Sequence, residues 1–217
     1  AFRKAGAKVK MSVFRNLTEQ DVFDSIDEMK RNIDECQILM FCGGFSAGDE
    51  PDGSGKFIAN VLNNEKIAAA VEALIARGGL ILGICNGFQA LVKSGLLPYG
   101  HLGCVTKDSP TLFRNDINRH ITQIAFTRVA SVNSPWLAGM NIGDTYGIPV
   151  SHGEGKFVVN EELAKELFAN GQVAFQYAEP IDEDVTMRSP NNPNGSYYAI
   201  EGIISKNGQI LGKMGHS

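Results

Sequence analysis

Apolar positions along this chain fall into short runs and helical stripes that alternate, separated by glycine-rich turns. The run Ile38-Leu39-Met40-Phe41 reads as a buried strand over residues 37–41, followed by the glycine-rich loop 43–48. Residues 64–77 place Ile67, Val71, Leu74 and Ile75 on one face of a helix, closed by Gly78-Gly79. Leu80 to Ile84 is again a continuous apolar run, and Asn86 to Ser94 continues as a helix that stops at Gly95. Upstream, residues 8–14 read as a strand and residues 21–31 as a polar-faced helix. The second half has shorter strands, at Ile121 to Val129 and over 173–177, with a helix over 161–170 ended by Gly171. Residues 189–196 read as a long turn, and 198–205 with 209–213 as a hairpin through Lys206-Asn207-Gly208. Strands alternating with helices predict an α/β fold, a three-layer sandwich around a mostly parallel central sheet, flavodoxin-like or Rossmann-like.

The strand ending at Ile84 delivers Gly83-Ile84-Cys85-Asn86-Gly87 to the start of a helix. Gly-x-Cys-x-Gly is the thiol counterpart of the nucleophile elbow, in which small flanking residues permit a strained turn that pushes the reactive side chain outward. Amide dipoles at the helix start favour a thiolate and are expected to lower the Cys85 pKa. The Asn86 amide is placed to face the oxygen of a tetrahedral intermediate. The same spacing also suits a small buried cysteine in a strand-to-helix turn.

Composition narrows the classes. The 217 residues fit one domain with a full core, 43% are hydrophobic, and 20 basic against 24 acidic residues leave a net charge of −4. That balance gives no reason to expect nucleic acid or a membrane surface as partner, no apolar run approaches a membrane span, and a cytoplasmic location is expected. Cys36, Cys42, Cys85 and Cys104 make no Cys-x-x-Cys pair and no zinc-like spacing with the four histidines, so free thiols and no metal are expected. Cys36 and Cys42 flank or lie in an apolar strand and read as structural, buried residues.

Other stretches carry weaker signals. Gly43 and Gly44 follow a strand, where backbone amides can turn toward a ligand at the carboxyl edge of an open sheet, in the same crevice as Cys85. The segment from Gly48 to Lys56 fails as a phosphate loop or a calcium loop on spacing, and reads as a shaped surface loop. A cysteine nucleophile needs a base. His101 and His120 sit in polar, loop-like surroundings and read as surface residues, whereas His152, on a turn in Ser151-His152-Gly153-Glu154-Gly155, and His216, near the chain's end, are both candidates.

Together these residues resemble the class I glutamine amidotransferases, and among them the glutaminase domains of phosphoribosylformylglycinamidine synthase. Five motifs carry the resemblance in order: Gly43-Gly44-Phe45-Ser46-Ala47-Gly48-Asp49, Gly83 through Gln89, Ser151 through Gly155, Asn192-Pro193-Asn194-Gly195-Ser196, and Gly212-Lys213-Met214-Gly215-His216. Within that family the chain is similar to the long single-polypeptide form, in which this domain is the C-terminal part. The resemblance implies a Cys-His-Glu triad with Cys85 as nucleophile, His216 as base, and the glutamate at the position after Ser217. It also places a first strand and a Pro-Gly turn before Ala1, so residues 1–217 are expected to be such a domain without that strand and without the residues after Ser217.

The resemblance moves His152 and Glu154 from the triad to the lining of the glutamine pocket, puts Gly44 and Phe45 at the oxyanion loop beside Asn86, and gives Gln89 a part in holding glutamine. It implies hydrolysis of L-glutamine through a Cys thioester, with ammonia passed to a synthetase domain that converts formylglycinamide ribonucleotide to the amidine. No cofactor is expected in this domain, with ATP and magnesium in the synthetase part. Two alternatives stand beside it: another Cys-His hydrolase of the same fold, peptidase-like and using His152, or an inactive docking domain.

Overall fold

The computed structural model describes residues 1–45 and 53–216. The loop over 43–48 and the surface loop from Gly48 to Lys56 therefore lie partly outside the described residues. Helix α1 (Glu19–Glu35) begins earlier than its apolar pattern suggests, because Thr18 and Asp21 form a reciprocal capping box: Thr18 Oγ1 accepts from the Asp21 amide and Asp21 Oδ2 accepts from the Thr18 amide, both at 3.1 Å.

Residues 8–14, expected as a strand, join no ladder. They run along α1 instead, where Asn32 Nδ2 donates to Ser12 Oγ at 2.7 Å, and the Phe14 ring meets Phe57 edge-on at 5.3 Å. An alternating pattern makes a strand only where a neighbour offers its backbone, and none does here among the described residues.

Strand β1 (Ile38–Phe41) precedes α2 (Lys56–Leu62) and α3 (Glu65–Ala76), the latter capped by the Asn64 side chain. Then come β2 (Leu80–Ile84), α4 (Asn86–Ser94) and the short α5 (Leu96–Tyr99). The second half supplies β3 (Thr111–Phe113), β4 (Ile121–Val129), β5 (Thr145–His152), β6 (Lys156–Val158), α6 (Glu161–Ala169), β7 (Val173–Ala178), β8 (Ile200–Ile204) and β9 (Ile210–Lys213). β8 and β9 are the expected hairpin.

The central sheet has seven strands in the order β1-β2-β9-β8-β7-β4-β5, with β3 and β6 paired separately. It is mixed, which corrects the expectation of a mostly parallel sheet. Only β1 with β2 and β2 with β9 run parallel, and the four remaining pairs are antiparallel. The physical reason lies in which strands become neighbours: β8 and β9 join through a short hairpin and so run antiparallel, and β9 then inserts between β2 and β8, parallel to β2 alone.

The parallel part positions the elbow. Helix α4 lies close on β1 and β2, since a methyl group on Gly87 would come within 2.1 Å of the Phe41 carbonyl oxygen, and one on Gly83 within 2.7 Å of the Gly87 backbone. Phe88 and Leu91 from α4 are fully buried with Ile81, Ile203 and Ile210 in the larger core. Each such side chain contributes roughly 1.5–3 kcal/mol by leaving water. A second cluster takes Leu211, Ile204, Phe175 and Val129 with Leu82, covered by Trp136 and Leu137.

Candidate active site

Cys85 stands between the end of β2 and the start of α4, at φ 52° and ψ −108°. Its amide donates to the Lys213 carbonyl at 2.9 Å and its carbonyl accepts from the Gln89 amide at 3.1 Å, so the β2–β9 pairing and the first turn of α4 hold the strained residue from both sides. The thiol donates toward the Ser151 carbonyl at 3.8 Å. Two backbone amides, of Asn86 and of Gly44, reach the sulfur. Backbone N–H groups of this kind are what an oxyanion formed beside the sulfur requires.

The thiol is nearly buried, 7% exposed, and that burial pushes its pKa up, more than the two amides pull it down. The expected lowering by the helix start is thus corrected: desolvation is the larger effect. A base close by becomes correspondingly more important.

His216 lies beside the same elbow. A methyl group at Gly43 would come within 2.7 Å of His216 Cε1 and 3.2 Å of Cys85 Cβ, so both side chains flank one point that only a glycine leaves open. The His216 amide donates to the Pro149 carbonyl at 2.9 Å, tying the residue to β5. Phe45, also expected at the oxyanion loop, is 79% exposed with its ring 6.4 Å from that of His120.

His152 is the last residue of β5 rather than part of a turn, and it is 2% exposed. Its Nδ1 lies 3.2 Å from Asn115 Oδ1, an oxygen that also accepts from the Gly155 amide, while Asn115 Nδ2 donates to the His152 carbonyl at 2.8 Å. An acceptor at Nδ1 assigns the proton to that nitrogen. Burial, with help from His120 and His216, lowers the ring's pKa to about 4, which makes it a neutral group and a weak base. Nε2 is buried with no hydrogen-bond partner among the described residues.

Glu154 works through both its backbone and its carboxylate. Its carbonyl accepts from Gln89 Nε2, and its Oε2 accepts from the Ser54 amide at 2.9 Å, with Arg114 Nε 4.0 Å from Oε1. The Gln89 amide is therefore spent in part on joining α4 to the segment after His152. The Asn192 to Ser196 motif braces the same segment: Asn194 Nδ2 donates to the Gly155 carbonyl at 2.7 Å and to the Tyr177 hydroxyl at 2.9 Å, and Ser196 Oγ accepts from the Phe157 amide.

The structure thus brings the Gly44 and Asn86 amides to the Cys85 sulfur with His216 across the Gly43 backbone from it, and sets His152, Glu154 and Gln89 into a braced wall. Asn115 and Tyr177 carry no signal in the sequence beyond a polar residue in a turn-rich stretch and a strand position, whereas Asn194 belongs to the Asn192 to Ser196 motif, with no role assigned to it there. His120, expected at the surface, is exposed, and its Nε2 lies 2.9 Å from Ser151 Oγ, next to the thiol's own acceptor. Cys42, expected to be buried, is exposed, and Cys104 is exposed too. Among the described residues no group of three or more metal-binding side chains occurs.

A family model described as the CobB/CobQ-like glutamine amidotransferase domain matches residues 1–217. Among curated relatives, phosphoribosylformylglycinamidine synthase subunit PurQ of Methanococcus maripaludis (strain C5) is 35% identical over 218 residues, spanning 100% of this chain and 75% of that protein. The subunit of the same name from Gloeobacter violaceus is 33% identical over 185 residues, spanning 85% of this chain and 72% of that protein. Among solved structures, PurLQS from Thermotoga maritima matches with a TM-score of 0.62 and 28% identity, over 84% of this chain and 69% of that one. The glutaminase domain of Trypanosoma brucei CTPS, solved with acivicin, shares the fold at a TM-score of 0.51 and 14% identity, over 92% of this chain and 69% of that one.

Proposed function

Since this chain belongs to the CobB/CobQ-like glutamine amidotransferase domain family, we propose that it acts as the glutaminase part of a phosphoribosylformylglycinamidine synthase, with Cys85 as its nucleophile. The chain is a glutamine amidotransferase domain, and its curated relatives carry the PurQ name over nearly its full length. The observation that carries the residue assignment is the convergence of the Gly44 and Asn86 amides on a cysteine at a strained elbow, with His216 beside it.

In this reading Cys85 Sγ attacks the side-chain carboxamide carbon of L-glutamine while His216 takes the thiol proton. The carbonyl oxygen gains negative charge and receives the Gly44 and Asn86 N–H groups. His216 then returns the proton to the departing ammonia, leaving a thioester on Cys85. Water activated by the same imidazole cleaves the thioester, and glutamate leaves. The carboxylate that orients His216 is proposed at the position following Ser217, on the His-x-Glu pattern alone. His152, neutral and fixed by Asn115, would line the glutamine pocket with Glu154 and Gln89.

Ammonia would pass to a synthetase part, where ATP and magnesium belong and formylglycinamide ribonucleotide becomes the amidine. The name of the PurLQS structure supports such a partner. Free thiols at all four cysteines fit a reducing, cytoplasmic setting. No described helix is long and apolar enough to cross a membrane.

Release of glutamate from glutamine, followed with three variants, tests the assignment. Cys85→Ser is expected to abolish it, and His216→Ala to lower kcat by about 10²-fold or more, as loss of a general base does. His152→Ala is expected to act mainly on KM. If His216→Ala retains wild-type kcat while His152→Ala loses it, the base is His152 and the peptidase-like alternative gains the ground.

A further inference from the structure

His216 has to be held against Cys85 by something, and the chain that carries it leaves the sheet at Lys213 and turns through Met214 and Gly215. Three of its holds are backbone to backbone. Lys213 accepts from the Cys85 amide at 2.9 Å, Met214 donates to the Glu201 carbonyl at 3.2 Å, and His216 donates to the Pro149 carbonyl at 2.9 Å. The fourth comes from a side chain: Oε1 of Glu201 accepts from the Gly215 amide at 2.6 Å.

Glu201 lies in the middle of β8 and is fully buried. Gly215 is wedged between it and β5, because a methyl group there would come within 2.0 Å of Ile148 Cδ1 and 3.0 Å of Glu201 Oε1. The turn is thus fitted to that carboxyl group. A buried carboxyl costs several kcal/mol unless hydrogen bonds and charge offset it. Here the offsets are the Gly215 and Met214 amides and the charge of Lys213, and burial still outweighs them, raising the carboxyl's pKa. Its Oε2 has no hydrogen-bond partner among the described residues. An apolar residue would fill this place in β8 at less cost, so the carboxyl's contribution is to be sought in what its bonded oxygen holds.

We propose that Glu201 is a positioning residue for His216: by accepting the Gly215 N–H it fixes the turn that sets the imidazole beside Cys85. It touches neither substrate nor sulfur. The proposal rests on the assignment of His216 as the base of a glutaminase.

The test uses the whole chain and the glutamine-like diazoketone 6-diazo-5-oxonorleucine, with the limiting rate of Cys85 modification and the half-saturating concentration measured separately. Glu201→Ala removes the acceptor, Glu201→Gln keeps it, and Glu201→Met with Lys213→Met replaces the charged pair by apolar side chains of similar size. In the two variants without the acceptor the limiting rate is expected to fall about tenfold or more, the scale at which a small misplacement of a reacting group acts. Half-saturation should stay within about threefold, because the pocket itself is not altered, and Glu201→Gln should recover the rate to within about threefold.

A folded variant without the acceptor that keeps the wild-type limiting rate overturns the proposal. So does a Gln variant as slow as the Ala variant, or failure of all three to fold, which would make Glu201 a stability residue. If wild type gives no glutamine-protected adduct on Cys85, the glutaminase assignment fails first and this proposal with it.

Discussion

At the scale of single residues, the site is governed by desolvation. Cys85 and His152 are both pushed toward their neutral forms, the thiol upward and the imidazole down to about 4. For His152 the sign follows directly. Between pH 6.5 and about 4 the unfolded ring binds a proton that the folded ring refuses, so stability is full above pH 6.5 and is lost as pH falls toward 4. The loss amounts to something on the order of 3 kcal/mol. Urea unfolding of wild type and His152→Gln at a series of pH values should show wild type losing ground to the variant across that window; parallel curves would refute the buried neutral ring. Cys85 was legible from Gly-x-Cys-x-Gly because the elbow imposes its own spacing. Glu201 was not, since an acid in a strand-like stretch reads as facing solvent, and only the packing of β8 shows it fully enclosed.

At the scale of elements, the elbow works because α4 sits unusually close to β1 and β2. Gly87 permits this, with the Phe41 carbonyl oxygen only 2.1 Å from where a methyl group would lie. Gly87→Ala is expected to push α4 outward and cost about 1–3 kcal/mol, the usual penalty of overpacking a full core. Chemical denaturation checks this, and a change below about 0.5 kcal/mol, typical of a surface position, would show that the contact is not tight. Helices α3 and α4 were readable from period and flanking glycines. β5 was not, because Gly147 and Pro149 interrupt its alternation, and its pairing with β4 along Arg128 to Ile121 makes it a strand regardless. Residues 8–14 show the converse, an alternating pattern without a backbone partner.

At the scale of the whole molecule, the sheet changes character at β9. On one side lie the parallel strands that deliver Cys85 from β2, and on the other the antiparallel strands that deliver His152 from β5. β9 itself brings His216. Motifs distant in sequence therefore meet at one sheet edge, which local patterns do not show and an ordered set of five motifs does. The mixed topology was out of reach because strand direction depends on which strands become neighbours, and β9, far from β2 in sequence, inserts between β2 and β8. This meeting point is proposed as a glutamine pocket with Cys85 as its nucleophile. Exposure of the chain to 6-diazo-5-oxonorleucine with and without excess glutamine, followed by mass spectrometry of the modified peptide, tests it most directly. A single adduct on Cys85 that glutamine suppresses is expected, while Cys42 and Cys104, though more exposed, stay unmodified. Modification of those exposed thiols instead, or of Cys85 without protection by glutamine, would contradict it.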